Sequence, residues 1–290
     1  MIGLALMAAA AATPADNWQL VWSDEFDGQS IDKSKWSFAV ECWGGGNNER
    51  QCYTDRNAEV RNGVLTITAR PEKTTGPDLP ESQRKPGEPV ATKTQPYSSS
   101  KLTTAGKAQW KYGRFEIRAR LPKGQGTWPA IWMLPSDWAY GPWAASGEID
   151  ILETVNLGAP CTECPSGKED RVLGTLHFGG VNPRNKHKGE ELFYPPILDG
   201  KFHTFGLTWW PDRMVWTVDG RAYATRTASE WYTESSNAPG APFNKPFYLI
   251  LNLAVGGGLP ESRDLKSVDP KAFPAKFDVD YVRVWALKGG

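Results

Sequence analysis

The stretch Ser146-Gly-Glu-Ile-Asp-Ile-Leu-Glu-Thr-Val-Asn156 holds three carboxylates, Glu148, Asp150 and Glu153, in an otherwise apolar, β-prone run. Side chains alternate faces along a strand, so Glu148 and Asp150 share a face. Glu153 stands at an odd offset from both and should face the other way. One β-bulge between Asp150 and Glu153 adds a residue and turns Glu153 back beside the other two. Ile149, Ile151 and Leu152 then read as the core side. Carboxyls packed in one row cannot all ionise freely, so at least one pKa must rise. Acids with separated pKa values are what glycoside hydrolysis uses. The plain alternative is a solvent-facing strand edge. That would call for Lys or Arg as balancing neighbours, and none occurs between Trp138 and Gly167.

Outward from this row the chain reads as short strands and turns. Val64–Arg70, Gly113–Leu121 and Met214–Val218 alternate apolar and polar residues, and Phe277–Trp285 ends the fold with strict alternation. Val218-Asp-Gly-Arg221 is a tight hairpin turn. Phe205–Trp210 is a further strand, and Phe247–Leu253 is so apolar that both its faces should be buried. Thr225–Ser236 is the one helix candidate. Pro71–Gln95, polar and aperiodic, reads as a surface loop between two strands. With no internal repeat and no helical linkers, the pattern is that of one all-β sandwich.

The chain has 290 residues, long enough for a sizeable core. Lys plus Arg and Asp plus Glu both number 33, and that balance points to neither a nucleic acid nor an anionic membrane as partner. Fourteen tryptophans exceed what one core needs. Surplus indoles serve as flat platforms on which the C–H faces of sugar rings stack, although core packing accounts for more than half of them. Residues 1–15 look like the apolar end of a secretory signal without its basic start, with an Ala-rich helix as the alternative. Residues 16–290 then form a single domain, secreted or periplasmic, and no other segment is apolar enough to span a membrane. The four cysteines form an even set suited to disulfides. Of three possible pairings the local one, Cys42–Cys52 with Cys161–Cys164, is favoured. A zinc site is the rival, but only Cys161-Thr-Glu-Cys164 has the spacing of a zinc knuckle.

The acid run Glu148-Ile-Asp-Ile-Leu-Glu153 resembles the signature of glycoside hydrolase family 16 in its bulged form. The likeness extends to Trp22-Ser-Asp-Glu-Phe-Asp27, Asn47-Asn-Glu49, Tyr53-Thr54, Tyr112–Arg120, Trp128–Leu134, Gly174-Thr-Leu-His177 and Asn252–Gly257. These motifs are similar to those of the laminarinase branch, the endo-1,3-β-glucanases, and cover the chain from about Trp18 to Leu287. The resemblance implies a β-jelly roll of two curved antiparallel sheets with a concave substrate cleft. It also implies a retaining, endo-acting hydrolysis of 1,3-β-glucan by double displacement. Glu148 matches the nucleophile, Glu153 the general acid/base and Asp150 the carboxylate between them. A β-glucan polysaccharide is the expected partner of a monomeric enzyme, and catalysis needs no cofactor. The alternatives are a galactan hydrolase of agarase or carrageenase type, a mixed-linkage glucanase, a transglycosylase, or a glucan-binding protein without activity. Binding-only relatives lose the acids, and all three are present here.

The resemblance also implies substrate contacts. Trp128 and Trp132, four apart on one strand face, resemble cleft indoles, with core packing the alternative for both and the stronger one for Trp132. Asn48 matches a sugar-binding amide on a flexible loop. Arg114 resembles a cleft arginine, with an exposed sheet charge as the alternative. His177 should reach an acid or a sugar hydroxyl. Gly258-Leu-Pro260 stands where the branch often has an aromatic, and the Cys161–Cys164 segment adds a loop beyond the acids. A structural calcium is implied at Glu25, the Gly63 carbonyl and Asp280, since hard oxygens from distant segments suit that ion, with ordinary surface acids as the alternative.

Overall fold

The computed structural model describes residues 17–263 and 267–288, so the signal-like segment 1–15 lies outside the described residues. Among them the strands are β1 (Trp18–Asp24), β2 (Ser37–Phe38), β3 (Gln51–Tyr53), β4 (Ala58–Arg61), β5 (Val64–Ala69), β6 (Thr74–Pro77), β7 (Thr92–Gln95), β8 (Tyr97–Ser99), β9 (Lys101–Thr103), β10 (Gly113–Arg120), β11 (Thr127–Pro135), β12 (Glu148–Glu153), β13 (Arg171–Gly179), β14 (Asn185–Phe193), β15 (His203–Trp209), β16 (Arg213–Val218), β17 (Arg221–Thr227), β18 (Phe247–Val255) and β19 (Ala275–Leu287). Two antiparallel sheets dominate. One runs β17-β16-β15-β10-β19-β5-β4, with β1 also on β19. The other runs β14-β13-β12-β11-β18-β9-β2. Neighbours that are distant in sequence make these sheets, as the alternation of many short strands requires.

Alternating residues of both sheets face each other across the core. Phe115 and Ile117 of β10, Phe205 and Leu207 of β15, and Val282 and Val284 of β19 meet Ile131 and Met133 of β11, Ile149 of β12, Leu176 of β13, and Leu249 and Leu251 of β18. The expectation for Phe247–Leu253 holds, since β18 is buried along almost its whole length. The hairpin turn at Asp219-Gly220 has φ of 47° and 75°, the left-handed pair such a turn needs. Both local disulfides, Cys42–Cys52 and Cys161–Cys164, are formed, and the thiolate zinc alternative is excluded because no free cysteine remains among the described residues.

Two expectations are corrected. Thr225–Ser236 is not a helix: it finishes β17 and continues as turns, because its first residues complete the ladder with β16. Pro71–Gln95 is not wholly loop, since Thr74–Pro77 and Thr92–Gln95 pair as a ribbon at the Cys42–Cys52 bridge. Among the described residues no helix is long and apolar enough to cross a membrane.

Candidate active site

The acid row sits on β12, in the interior of its sheet. Glu148 stands opposite His177 and Asp150 opposite Thr175, and the register then slips so that Glu153 faces Leu173. Ile151 and Leu152 together oppose the single Gly174, and both turn into the core. This is the bulge the spacing demanded, and it returns Glu153 to the outer face. The slip breaks the ladder beside Asp150. Its carbonyl instead accepts a hydrogen bond from Trp216 Nε1 at 2.8 Å, delivered through the core from β16.

Each outer acid of the row takes an indole N–H. Trp143 Nε1 donates to Glu148 Oε2 at 2.9 Å, and Trp128 Nε1 donates to Glu153 Oε1 at 2.9 Å. Asp150 lies between them, 3% exposed, and its Oδ2 has no hydrogen-bond partner. His177 Nε2 is 3.3 Å from that oxygen and 3.6 Å from Glu148 Oε1. Burial pushes all three carboxyls up to about 8. For Glu148, the Asp150 charge adds to burial, while His177 and the Trp143 N–H oppose it. For Glu153, burial is again the largest cause and the Asp150 charge the next, with the Trp128 N–H opposing. A coupled row of this kind gives up its protons one at a time, so one carboxyl can be ionised while another still holds the proton that a leaving group requires.

A second polar chain runs away from the acids across β11 and β18. Trp132 Nε1 donates to Asn252 Oδ1 at 2.6 Å, Asn252 Nδ2 to Tyr53 OH at 3.0 Å, and Tyr53 OH to Glu49 Oε2 at 3.2 Å. Every donor points the same way and the chain ends on a carboxylate, which fixes the Asn252 amide orientation. Lys101 pairs with the buried Glu41 and lies 4.9 Å over the Tyr53 ring. Trp132, half-buried, is therefore held on the acid-bearing face rather than packed into the core.

The other expected contacts divide. Asn48 is exposed, at a φ of 58°, on the loop that includes Asn47. That loop abuts the Trp128 end of the row. The Asn47 carbonyl accepts from Gly258 N at 2.7 Å, and Gly257, at φ 102°, has room for no Cβ between Asn47 O (2.9 Å) and Trp128 (3.3 Å). Leu259, in place of an aromatic, packs against the cluster of Trp128, Val155 and Ala254. Arg114 is not brought to the acids. It projects from the outer face of the opposite sheet, 3.1 Å from Glu116 and stacked 5.3 Å over Trp285. Its strand neighbours Gly113 and Phe115 face the core, so the whole sandwich separates it from β12.

Glu25, Gly63 and Asp280 lie on segments that border one edge of β19. That edge pairs with β5 up to Val279 and with β1 from Val282, leaving Asp280–Tyr281 between them. Glu25 directly follows β1, and Gly63 directly precedes β5. The Glu25 carboxylate lies 2.8 Å and 3.0 Å from the Arg283 guanidinium, and Asp280 lies 2.5 Å from Arg118. The two carboxylates thus come from different segments, and each is held by a guanidinium group.

Several members of the site were not assigned from sequence. Glu49, Tyr53 and Asn252 belong to the motifs that carry the family resemblance, but nothing in their spacing gives them a role. Trp143 lies in the loop before β12, where no periodicity applies. Only its place five residues before Glu148 could have drawn attention to it.

With this geometry in view, the fold and site define a jelly-roll glycoside hydrolase. Residues 45–283 match the model of glycosyl hydrolases family 16, and the chain belongs to that family. It is 40% identical to a β-glucanase of Rhodothermus marinus over 98% of this chain and 91% of that protein. It is 39% identical to glucan endo-1,3-β-glucosidase A1 of Niallia circulans, covering 94% of this chain but only 39% of that longer protein. Among solved structures, the laminarinase from Rhodothermus marinus superposes with a TM-score of 0.74 at 39% identity, over 94% of this chain and 99% of that one.

Proposed function

We propose that this protein is an endo-acting hydrolase of 1,3-β-glucan that retains anomeric configuration. Glu148 is the nucleophile, attacking the anomeric carbon as the anion that the Trp143 N–H and His177 favour. Glu153 is the general acid that protonates the departing oxygen, and then the base that activates water. Asp150 sits between them, and its charge helps keep the Glu153 proton in place. The observation that carries this reading is the bulged row itself, with both outer carboxyls held by indole N–H groups on one face. Trp132 offers a sugar platform, and Asn48 a polar contact from the loop beside Trp128. The substrate class rests on the names of the similar β-glucanases and laminarinase. Two disulfides suit a secreted or periplasmic protein, and a structural calcium is assigned to Glu25, Gly63 and Asp280, whose segments border one edge of β19.

The test is hydrolysis of laminarin, lichenan, agarose and carrageenan, followed by reducing sugar and product size. Short oligomers appear early from laminarin, and Glu148→Gln abolishes their release while glucan binding persists. Release from agarose but not from laminarin overturns the substrate, and full activity in Glu148→Gln removes that residue from the mechanism.

A further inference from the structure

We infer that Glu148, Asp150 and His177 form a binding site for a divalent zinc-class transition ion, and that the ion and glucan exclude each other. One donor atom from each residue lies within 4.8 Å of the other two. Zinc bonds of about 2.0–2.1 Å at tetrahedral angles place donors roughly 3.3–3.4 Å apart. The His177 Nε2 separations, 3.3 Å to Asp150 Oδ2 and 3.6 Å to Glu148 Oε1, are already close to that spacing.

The pattern is more than a patch of acids. Asp150 is 97% buried by its 3% exposure, its Oδ2 lacks a hydrogen-bond partner, and that oxygen points at the imidazole. Buried polar atoms are rarely left in that state. Three ligands with a fourth position toward the outer face make an open site, which water would complete. One nitrogen and two carboxylates suit zinc, whereas calcium wants six or more oxygens, so calcium does not compete here. Glu148 cannot coordinate an ion and attack a sugar at once. Competition with substrate therefore rests on the role proposed for Glu148, while metal binding itself does not.

Isothermal titration of chelator-treated full-length protein with zinc alone tests the site. One ion binds per chain, calcium does not displace it, and His177→Gln and Asp150→Asn each weaken it by about tenfold or more. Glu25→Gln, at the far edge of β19, leaves the affinity unchanged. Wild-type protein loaded with cobalt(II) shows the strong visible absorption of a four-coordinate ion, a readout that survives even if a variant fails to fold. Zinc raises the apparent KM for laminarin without lowering kcat, and a chelator reverses this. Undiminished affinity in folded His177→Gln, or the pale spectrum of six-coordinate cobalt, overturns the site. Binding with the expected ligand dependence but without competition leaves the site standing and counts against Glu148 as nucleophile.

Discussion

At the scale of single residues, one indole bears directly on the proposed acid. Trp128 was expected from the sequence to be a sugar platform, and the structure gives its N–H to Glu153. A donor to a carboxylate favours the ionised form, so it works against burial, which pushes Glu153 up to about 8. A general acid must be protonated, and activity falls as pH rises through its pKa. Removing the donor raises that pKa further. Trp128→Phe should therefore move the alkaline limb of kcat/KM to higher pH, while loss of the indole surface separately raises KM. The shift corresponds to a charged hydrogen bond of about 1.5–3 kcal/mol at most, and less where water replaces the donor. An alkaline limb that stays put, or moves down, would show that the contact does not govern Glu153.

At the scale of elements, the bulge in β12 depends on a residue of the other sheet. Trp216 caps the Asp150 carbonyl that the slipped ladder leaves beside Gly174. Gly174 makes room for that indole: a Cβ there would lie 2.5 Å from Trp216 Cδ1 and 2.6 Å from the Tyr223 hydroxyl. Trp216→Phe keeps most of the apolar bulk and strands a buried acceptor, at a cost of about 1–3 kcal/mol. Urea unfolding should report that loss, and kcat should fall with it as Glu153 loses its alignment. A stability loss with unchanged kcat would mean that the strand pairs hold the bulge unaided. Alternation made β5, β10, β16 and β19 legible from sequence, and the odd offset of Glu153 made the bulge legible as well. The same alternation could not say which sheet a polar face belongs to. The exposed side of β10 that carries Arg114 therefore reads like a cleft face, although it belongs to the sheet opposite the acids. Nor could it reveal Trp216, whose partner is 66 residues away and is a backbone atom. The relay from Trp132 to Glu49 joins three segments for the same reason: its members meet only after the sheet has formed.

For the whole molecule, β19 joins what the chain keeps apart. It pairs with β10 along one edge and with both β5 and β1 along the other, so the first and last strands of the domain lie side by side. The junction between β5 and β1 falls at Asp280, where Glu25 and Gly63 arrive, and the core separates it from the acids on β12. The calcium proposed there would tie three segments that otherwise meet only through the sheet edge and the Glu25–Arg283 and Asp280–Arg118 pairs. Such partly exposed pairs contribute little by themselves. An ion that binds only the folded chain stabilises it by about 2.7 kcal/mol at a hundred times its Kd. For a domain of this size that is roughly 5 °C or more in Tm. Calcium should therefore raise the melting temperature by about that amount. A chelator should reverse the gain, and Asp280→Asn should remove the response. Because the junction does not touch the acid row, kcat on laminarin well below the melting temperature should be the same with and without calcium. A melting temperature indifferent to both calcium and chelator would leave the junction to its two guanidinium pairs. A kcat that follows calcium would mean the two sheets are coupled through the core more tightly than the separation of the sites implies.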